Sequence, residues 1–80
     1  MSDPMSISNR VQVLLAEAIQ VPAEMVTPDL EFGDLPQWDS LGHMEVMLKL
    51  EAEFGVPIDT DAIANLISIP KICKFLEENG

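Results

Sequence analysis

Asp39, Ser40 and His43 stand close together near the middle of the chain, and they are the residue types of a nucleophilic triad. A triad needs histidine between serine and acid, with an oxyanion site and a substrate pocket beside them. His43 follows Ser40 by three residues, so on one helix their side chains could be neighbours. Asp39, however, adjoins the serine itself, and neither a G-x-S-x-G elbow nor a glycine-rich oxyanion loop occurs in the sequence. A chain of 80 residues also has little mass for a deep cavity. Small serine hydrolase is therefore the weakest reading, and His43 reads as a solvent-facing helix residue. Two readings of Ser40 remain: a plain helix cap, or a hydroxyl that another protein modifies. Either Asp39 or Ser40 can cap the helix that follows, because a short side-chain oxygen accepts from the free N–H groups of a first turn. Both arrangements leave the Ser40 hydroxyl at the positive end of a helix dipole, where a phosphate would be well placed.

Other chemistry-bearing residues have bland accounts. Asp59-Thr60-Asp61 lacks the further ligands, glycine and distal glutamate of a calcium loop, and reads as a cap and first turn. Cys73 is the single cysteine, which rules out an internal disulfide or a CxxC site. It lies on an apolar helix face and reads as a small buried hydrophobe. No Walker loop, zinc spacing or dinucleotide fingerprint is present, and no metal is expected.

The elements that must position Ser40 follow from periodicity. Ile7, Val11, Leu14, Leu15 and Ala18 recur at helical spacing, with Ser8, Arg10, Gln12 and Glu17 opposite. This first helix begins at Asp3-Pro4 or at Ser6, and it stops near Gln20 because Pro22 disfavours helix at Val21. Residues 21–39 contain Pro22, Pro28, Gly33 and Pro36 and cannot be one helix. A connection this long is expected to be anchored, and Val26, Leu30, Phe32, Leu35 and Trp38 supply anchors across the core. Short turns fit at Pro22-Ala23-Glu24 and Thr27-Pro28-Asp29. The second helix runs from about Ser40 to Phe54 and ends at Gly55 before Pro57. Its Val46, Met47, Leu50 and Phe54 form a core stripe. Leu41, Met44 and Leu48 form a second stripe that a helix with one buried face does not need. The loop should cover Leu41, whereas Met44 and Leu48 are left open between cover and exposure. A short third helix carries Ala62, Ile63, Leu66 and Ile67. Ser68 caps a last one, which tolerates Pro70 in its first turn and buries Ile69, Ile72, Cys73 and Leu76. The tail Glu77-Glu78-Asn79-Gly80 is expected to fray. The fold class is all-α: one domain over residues 1–80, a four-helix bundle of three longer helices and a short third, with a long loop between helices one and two.

Composition narrows the partners. Fourteen acids against four bases give a formal charge of −10. A nucleic-acid partner needs a basic stripe that is absent, and anionic membrane surfaces are disfavoured for the same reason. The charge suits proteins with basic patches as partners, and equally it could serve only to keep a small protein soluble. No apolar run approaches the roughly 18–20 residues of a membrane span, and no signal peptide is evident, so a cytoplasmic location is expected. The charge also predicts self-repulsion that salt or divalent cations should relieve.

Asp39-Ser40-Leu41, followed by Glu45 and by Leu50-Glu51-Ala52-Glu53-Phe54-Gly55-Val56-Pro57-Ile58, resembles the acyl carrier protein family. The likeness extends over nearly the whole chain, from the amphipathic first helix to the last. It implies a non-catalytic carrier whose Ser40 bears 4′-phosphopantetheine, transferred from coenzyme A by a separate magnesium-dependent phosphopantetheinyl transferase. The arm's thiol would hold acyl or aminoacyl groups as thioesters, loaded by a ligase or transferase and passed to downstream enzymes. The resemblance implies partner recognition by Asp39, Leu41, Met44, Glu45, Leu48, Glu51 and Glu53. It also implies that Met44, Met47, Leu50 and Ile63 line the path of an acyl chain, in a protein expected to be monomeric. The rival of a different class is an unmodified acidic interaction module of the same fold.

The chain departs from the fatty-acid carriers in three places. Ala52 stands where many have an acid, Lys49 interrupts the acidic face, and Leu35-Pro36-Gln37-Trp38 replaces the small glycine-containing segment before the serine. The paired glycines typical of peptidyl carriers are missing too. Trp38 before Asp-Ser-Leu and Gly42-His43-Met44 after it look more like free-standing carriers of specialised pathways. Trp38 itself reads as a loop anchor packed on the bundle.

Overall fold

In a computed structural model describing residues 6–79, the chain forms α1 (Ile7–Ile19), a 3-10 turn (Ala23–Met25), α2 (Ser40–Phe54), α3 (Thr60–Asn65) and α4 (Ile69–Asn79). Each start has a short polar residue accepting from the first turn, which satisfies one of the free N–H groups. Ser6 Oγ accepts from Asn9 N–H at 3.3 Å and opens α1; the Asp3-Pro4 alternative lies outside the described residues. Asp59 Oδ1 accepts from Ala62 N–H at 2.8 Å, and Ser68 Oγ from Lys71 N–H at 3.2 Å. The D-x-D pair thus caps α3. α2 closes on Gly55, whose φ of 66° is the left-handed conformation a helix end favours and a side chain resists.

The core draws on all four α-helices. Val11, Leu14, Leu15, Ala16 and Ile19 of α1 meet Val46, Met47 and Leu50 of α2 and Ile69, Ile72 and Leu76 of α4. Ala62 of α3 and Leu66, the residue that caps its end, close one side; Ile67, expected on this helix, lies beyond it and is exposed. Ala16 and Ile19 join the expected α1 face, while Ile7 and Ala18 are only partly buried at its edge. Phe54 is half-buried, with the Arg10 guanidinium 4.4 Å over its ring, so the cation's flat face covers the apolar edge.

The long connection is held by backbone as well as side chains. Val26, Leu30 and Trp38 are buried and Leu35 partly so, as anchors should be; Phe32, expected to join them, is instead 39% exposed and offers only a ring edge to the bundle. In addition, Phe32 N–H donates to Ile67 C=O at 2.8 Å and Ile69 N–H to Leu30 C=O at 3.0 Å. These bonds make a single antiparallel bridge, Glu31 to Ser68, that straps the loop to the α3–α4 junction. Among the described residues it is the only β-like pairing, so the all-α class stands. One expectation at the end of the chain is corrected: Glu77, Glu78 and Asn79 remain helical, with Asn79 Nδ2 donating to Phe75 C=O at 2.9 Å.

Cys73 is half-buried rather than enclosed. Burial pushes its thiol above the ordinary value; a hydrogen bond with Ser8 opposes the shift and the Glu77 carboxylate adds to it. Less thiolate at neutral pH makes it a poor nucleophile.

Every acid among the described residues is exposed. No group of three or more histidines, cysteines or acids among them is arranged to hold a metal ion. Relief of repulsion should therefore come from diffuse screening. Sodium and magnesium chloride at matched ionic strength are expected to raise Tm alike. About 1 kcal/mol of relieved repulsion corresponds to about 4–8 °C in a domain of this size. A melting scan indifferent to both salts, or responsive to magnesium alone, would contradict diffuse repulsion.

Candidate functional site

Ser40 is the first residue of α2 and is exposed. The cap belongs to Asp39, whose Oδ1 accepts from Gly42 N–H at 2.8 Å. Asp39 C=O also accepts from His43 N–H at 2.7 Å, the first intrahelical bond. The serine hydroxyl is thus not needed for capping, and it stands at the positive end of a 15-residue helix. A phosphoester there would meet the dipole's favourable end. An open groove of about 360 Å³ lies beside the junction, lined in part by Ile19, Gln37, Asp39, Leu41 and Glu45.

His43 corrects the reading of a solvent-facing histidine: it is only 6% exposed. Its place on the helix explains this, because residues 43, 46, 47 and 50 share one face at 3.6 residues per turn. Trp38 Nε1–H donates to His43 Nδ1 at 3.1 Å, and His43 Nε2 lies 2.7 Å from Ile63 C=O. An indole can only donate and a carbonyl can only accept, so the ring must be neutral with its proton on Nε2. Phe32 stands edge-on to both rings, at 5.5 Å from His43 and 6.0 Å from Trp38. Trp38, 1% exposed, is the loop anchor expected of it. The imidazole therefore has both nitrogens committed inside the protein, and neither is offered to Ser40 as a base. The triad reading has no histidine left to work with.

The second stripe of α2 lies open. Leu41 is 77% exposed, Leu48 57% and Met44 43%. The expectation that the loop covers Leu41 is wrong. The loop's apolar side chains turn instead to the opposite face of α2, where Trp38 reaches His43. Glu45 and Glu51 flank the stripe and are exposed, as is Asp39 at its start. Glu53 does not join them: it lines a groove against α1 with Leu14, Glu17, Lys49 and Ala52. Of the side chains expected to line an acyl path, Met47 and Leu50 are closed in the core. Ile63 is half-buried on α3, and Met44 sits partly exposed above them.

Gly42 is a site residue that its type and position in the sequence do not reveal. A Cβ built on it would stand 2.5 Å from the Gln37 carbonyl oxygen and 3.1 Å from Ile19 Cγ2. The segment before Ser40 passes so close to the helix that only glycine fits. Its position, two residues after the serine and opposite an apolar side chain of α1, gives no local sign of this in the sequence.

Among the described residues, no helix is long and apolar enough to cross a membrane. Residues 9–76 match the family model described as "Phosphopantetheine attachment site". The chain is similar to proteins named acyl carrier protein from Helicobacter pylori and Bradyrhizobium. The former is 33% identical over 75 residues, covering 94% of this chain and 96% of the relative. The latter is 34% identical over 74 residues, covering 92% and 94%.

Proposed function

This chain belongs to the acyl carrier protein family, and from that membership we propose that Ser40 bears its 4′-phosphopantetheine. The observation that carries the assignment is the exposed serine at the first position of α2, its cap supplied by Asp39. Attachment forms a bond from Ser40 Oγ to the β-phosphorus of coenzyme A and breaks the diphosphate P–O bond. Adenosine 3′,5′-bisphosphate leaves, and the serine proton passes to a base of the transferase, because His43 is committed elsewhere. Once in place the arm supplies a thiol on which acyl or aminoacyl groups are held as thioesters. The protein is then a carrier, and the chemistry on its cargo is done by other enzymes.

Leu41, Met44 and Leu48, with Glu45 and Glu51 beside them and Asp39 at the helix start, form the recognition surface. A small desolvated apolar centre with a charged rim suits transient docking to basic patches. Glu53 lies off this surface, toward α1, and meets a partner only if the partner also reaches that groove. Met47, Leu50 and Ile63 are packed, so a chain lodged between α2 and α3 would have to displace them; the unbranched methionines adapt to that most readily.

Intact-mass measurement after incubation with coenzyme A, magnesium and a broad-specificity phosphopantetheinyl transferase tests the assignment. The wild type is expected to gain one phosphopantetheine and Ser40→Ala none. A wild type that gains nothing would leave the unmodified interaction module standing, and a modified Ser40→Ala variant would move the site.

A further inference from the structure

We propose that His43 is a positioning residue for the acceptor serine, acting through Trp38 on one side and α3 on the other. The inference rests on Ser40 being the attachment site and adds what holds that site in shape. Ser40 lies between the two bridge residues in sequence, with Trp38 two positions before it and His43 three after. The bond from Trp38 Nε1–H to His43 Nδ1 closes a loop of chain around the serine. The junction is thereby tied at a point on each side while the hydroxyl faces outward.

The second bond of the ring gives the tie a fixed backing. Ile63 C=O belongs to the last turn of α3, where carbonyls lack helical partners. His43 Nε2–H fills that vacancy from α2 at 2.7 Å. α3 has six residues, too few for a stable isolated helix, so side-chain ties of this kind decide where it sits. One imidazole therefore joins the pre-serine loop, α2 and α3, with the Phe32 ring edge-on against it. Nothing else in the ring's surroundings requires a histidine: a leucine would fill the space and make neither bond. The residue type is explained by its need for one acceptor and one donor on a rigid frame.

A transferase binds the serine in the shape the junction presents. If the junction populates that shape only part of the time, apparent affinity falls by the same fraction. Loss of the bridge should accordingly raise KM for the carrier and leave kcat nearly unchanged. A role confined to stability would leave both constants alone in the folded protein.

The test is steady-state transfer of phosphopantetheine from coenzyme A to full-length wild type, His43→Leu and His43→Gln, each shown folded by circular dichroism. His43→Leu is expected to raise KM about fivefold, equivalent to a junction competent about a fifth of the time. His43→Gln keeps one acceptor and one donor and should recover much of the loss. The indole N–H resonance of Trp38, the single tryptophan, should move to its solvent-like position in His43→Leu and stay shifted in His43→Gln. Should His43→Leu not fold, Trp38→Phe removes the same bond from the other end and carries the same KM expectation. A folded variant lacking the bond but with KM within twofold of wild type overturns the role of His43. Absence of transfer to wild type would instead overturn the assignment of Ser40, so the two failures are distinguishable.

Discussion

Trp38→Ala is expected to cost about 4 kcal/mol of folding stability, read as a fall in the urea midpoint of the unmodified protein. Truncating a fully buried aromatic in a packed core costs about 3–5 kcal/mol, in lost transfer energy and in the cavity left behind. Trp38 is 1% exposed and among the largest fully buried side chains of the protein. Its loss also leaves His43 Nδ1 without a donor, a penalty of about 1–3 kcal/mol unless water enters the space. Domains are stable by about 0.05–0.15 kcal/mol per residue, which for a chain this size is about 4–12 kcal/mol in all. The variant should therefore be marginal at room temperature. Trp38→Phe separates the contributions, since it keeps most of the packing and loses the donor; about 1–2 kcal/mol is expected for it. An alanine variant within 1.5 kcal/mol of wild type would mean that the loop is held by its backbone strap alone, through Phe32 to Ile67 and Ile69 to Leu30.

The balance between that strap and the aromatic anchor marks what could be read from the sequence. Features set by a few adjacent residues were legible. Asp59 and Ser68 as caps, Gly55 as a stop, and Pro22 as the limit of α1 all depend on chemistry within one turn. Features set by contact between distant segments were not. The Glu31–Ser68 bridge pairs backbone groups, which carry no side-chain signature. A solvent-facing His43 follows from its polar type alone, whereas its spacing to Val46, Met47 and Leu50 puts it on the core face. A tryptophan five residues earlier could have suggested the partner that makes its burial affordable. Leu41 departs from expectation for the opposite reason. An apolar residue was expected to find cover, while the loop's apolar groups were already engaged across the helix. The exposed stripe is what remains when one helix carries two apolar faces and the chain supplies cover for one.

Gly42→Ala offers a case in which local and tertiary effects have opposite signs. By helix propensity alone, alanine for glycine within a helix gains about 1 kcal/mol. Gly42 is the third residue of α2, and its backbone is helical, so the local expectation is a more stable protein. The built Cβ would stand 2.5 Å from a main-chain oxygen, Gln37 C=O, and a carbonyl cannot rotate away as a side-chain tip can. Relief requires moving either the helix or the segment that delivers Trp38 to its pocket, an overpacking strain of about 1–3 kcal/mol. The same shift loosens the Asp39 cap on Gly42 N–H, which contributes about 1 kcal/mol. Strain and cap loss together exceed the propensity gain, and a net destabilisation of about 2 kcal/mol is expected in urea unfolding. The displaced residues directly precede Ser40, so transfer of phosphopantetheine should slow in the fraction that remains folded. A variant more stable than wild type by the propensity increment would show that the junction can yield at no cost. The close approach of Gln37 would then have no part in holding the serine in place.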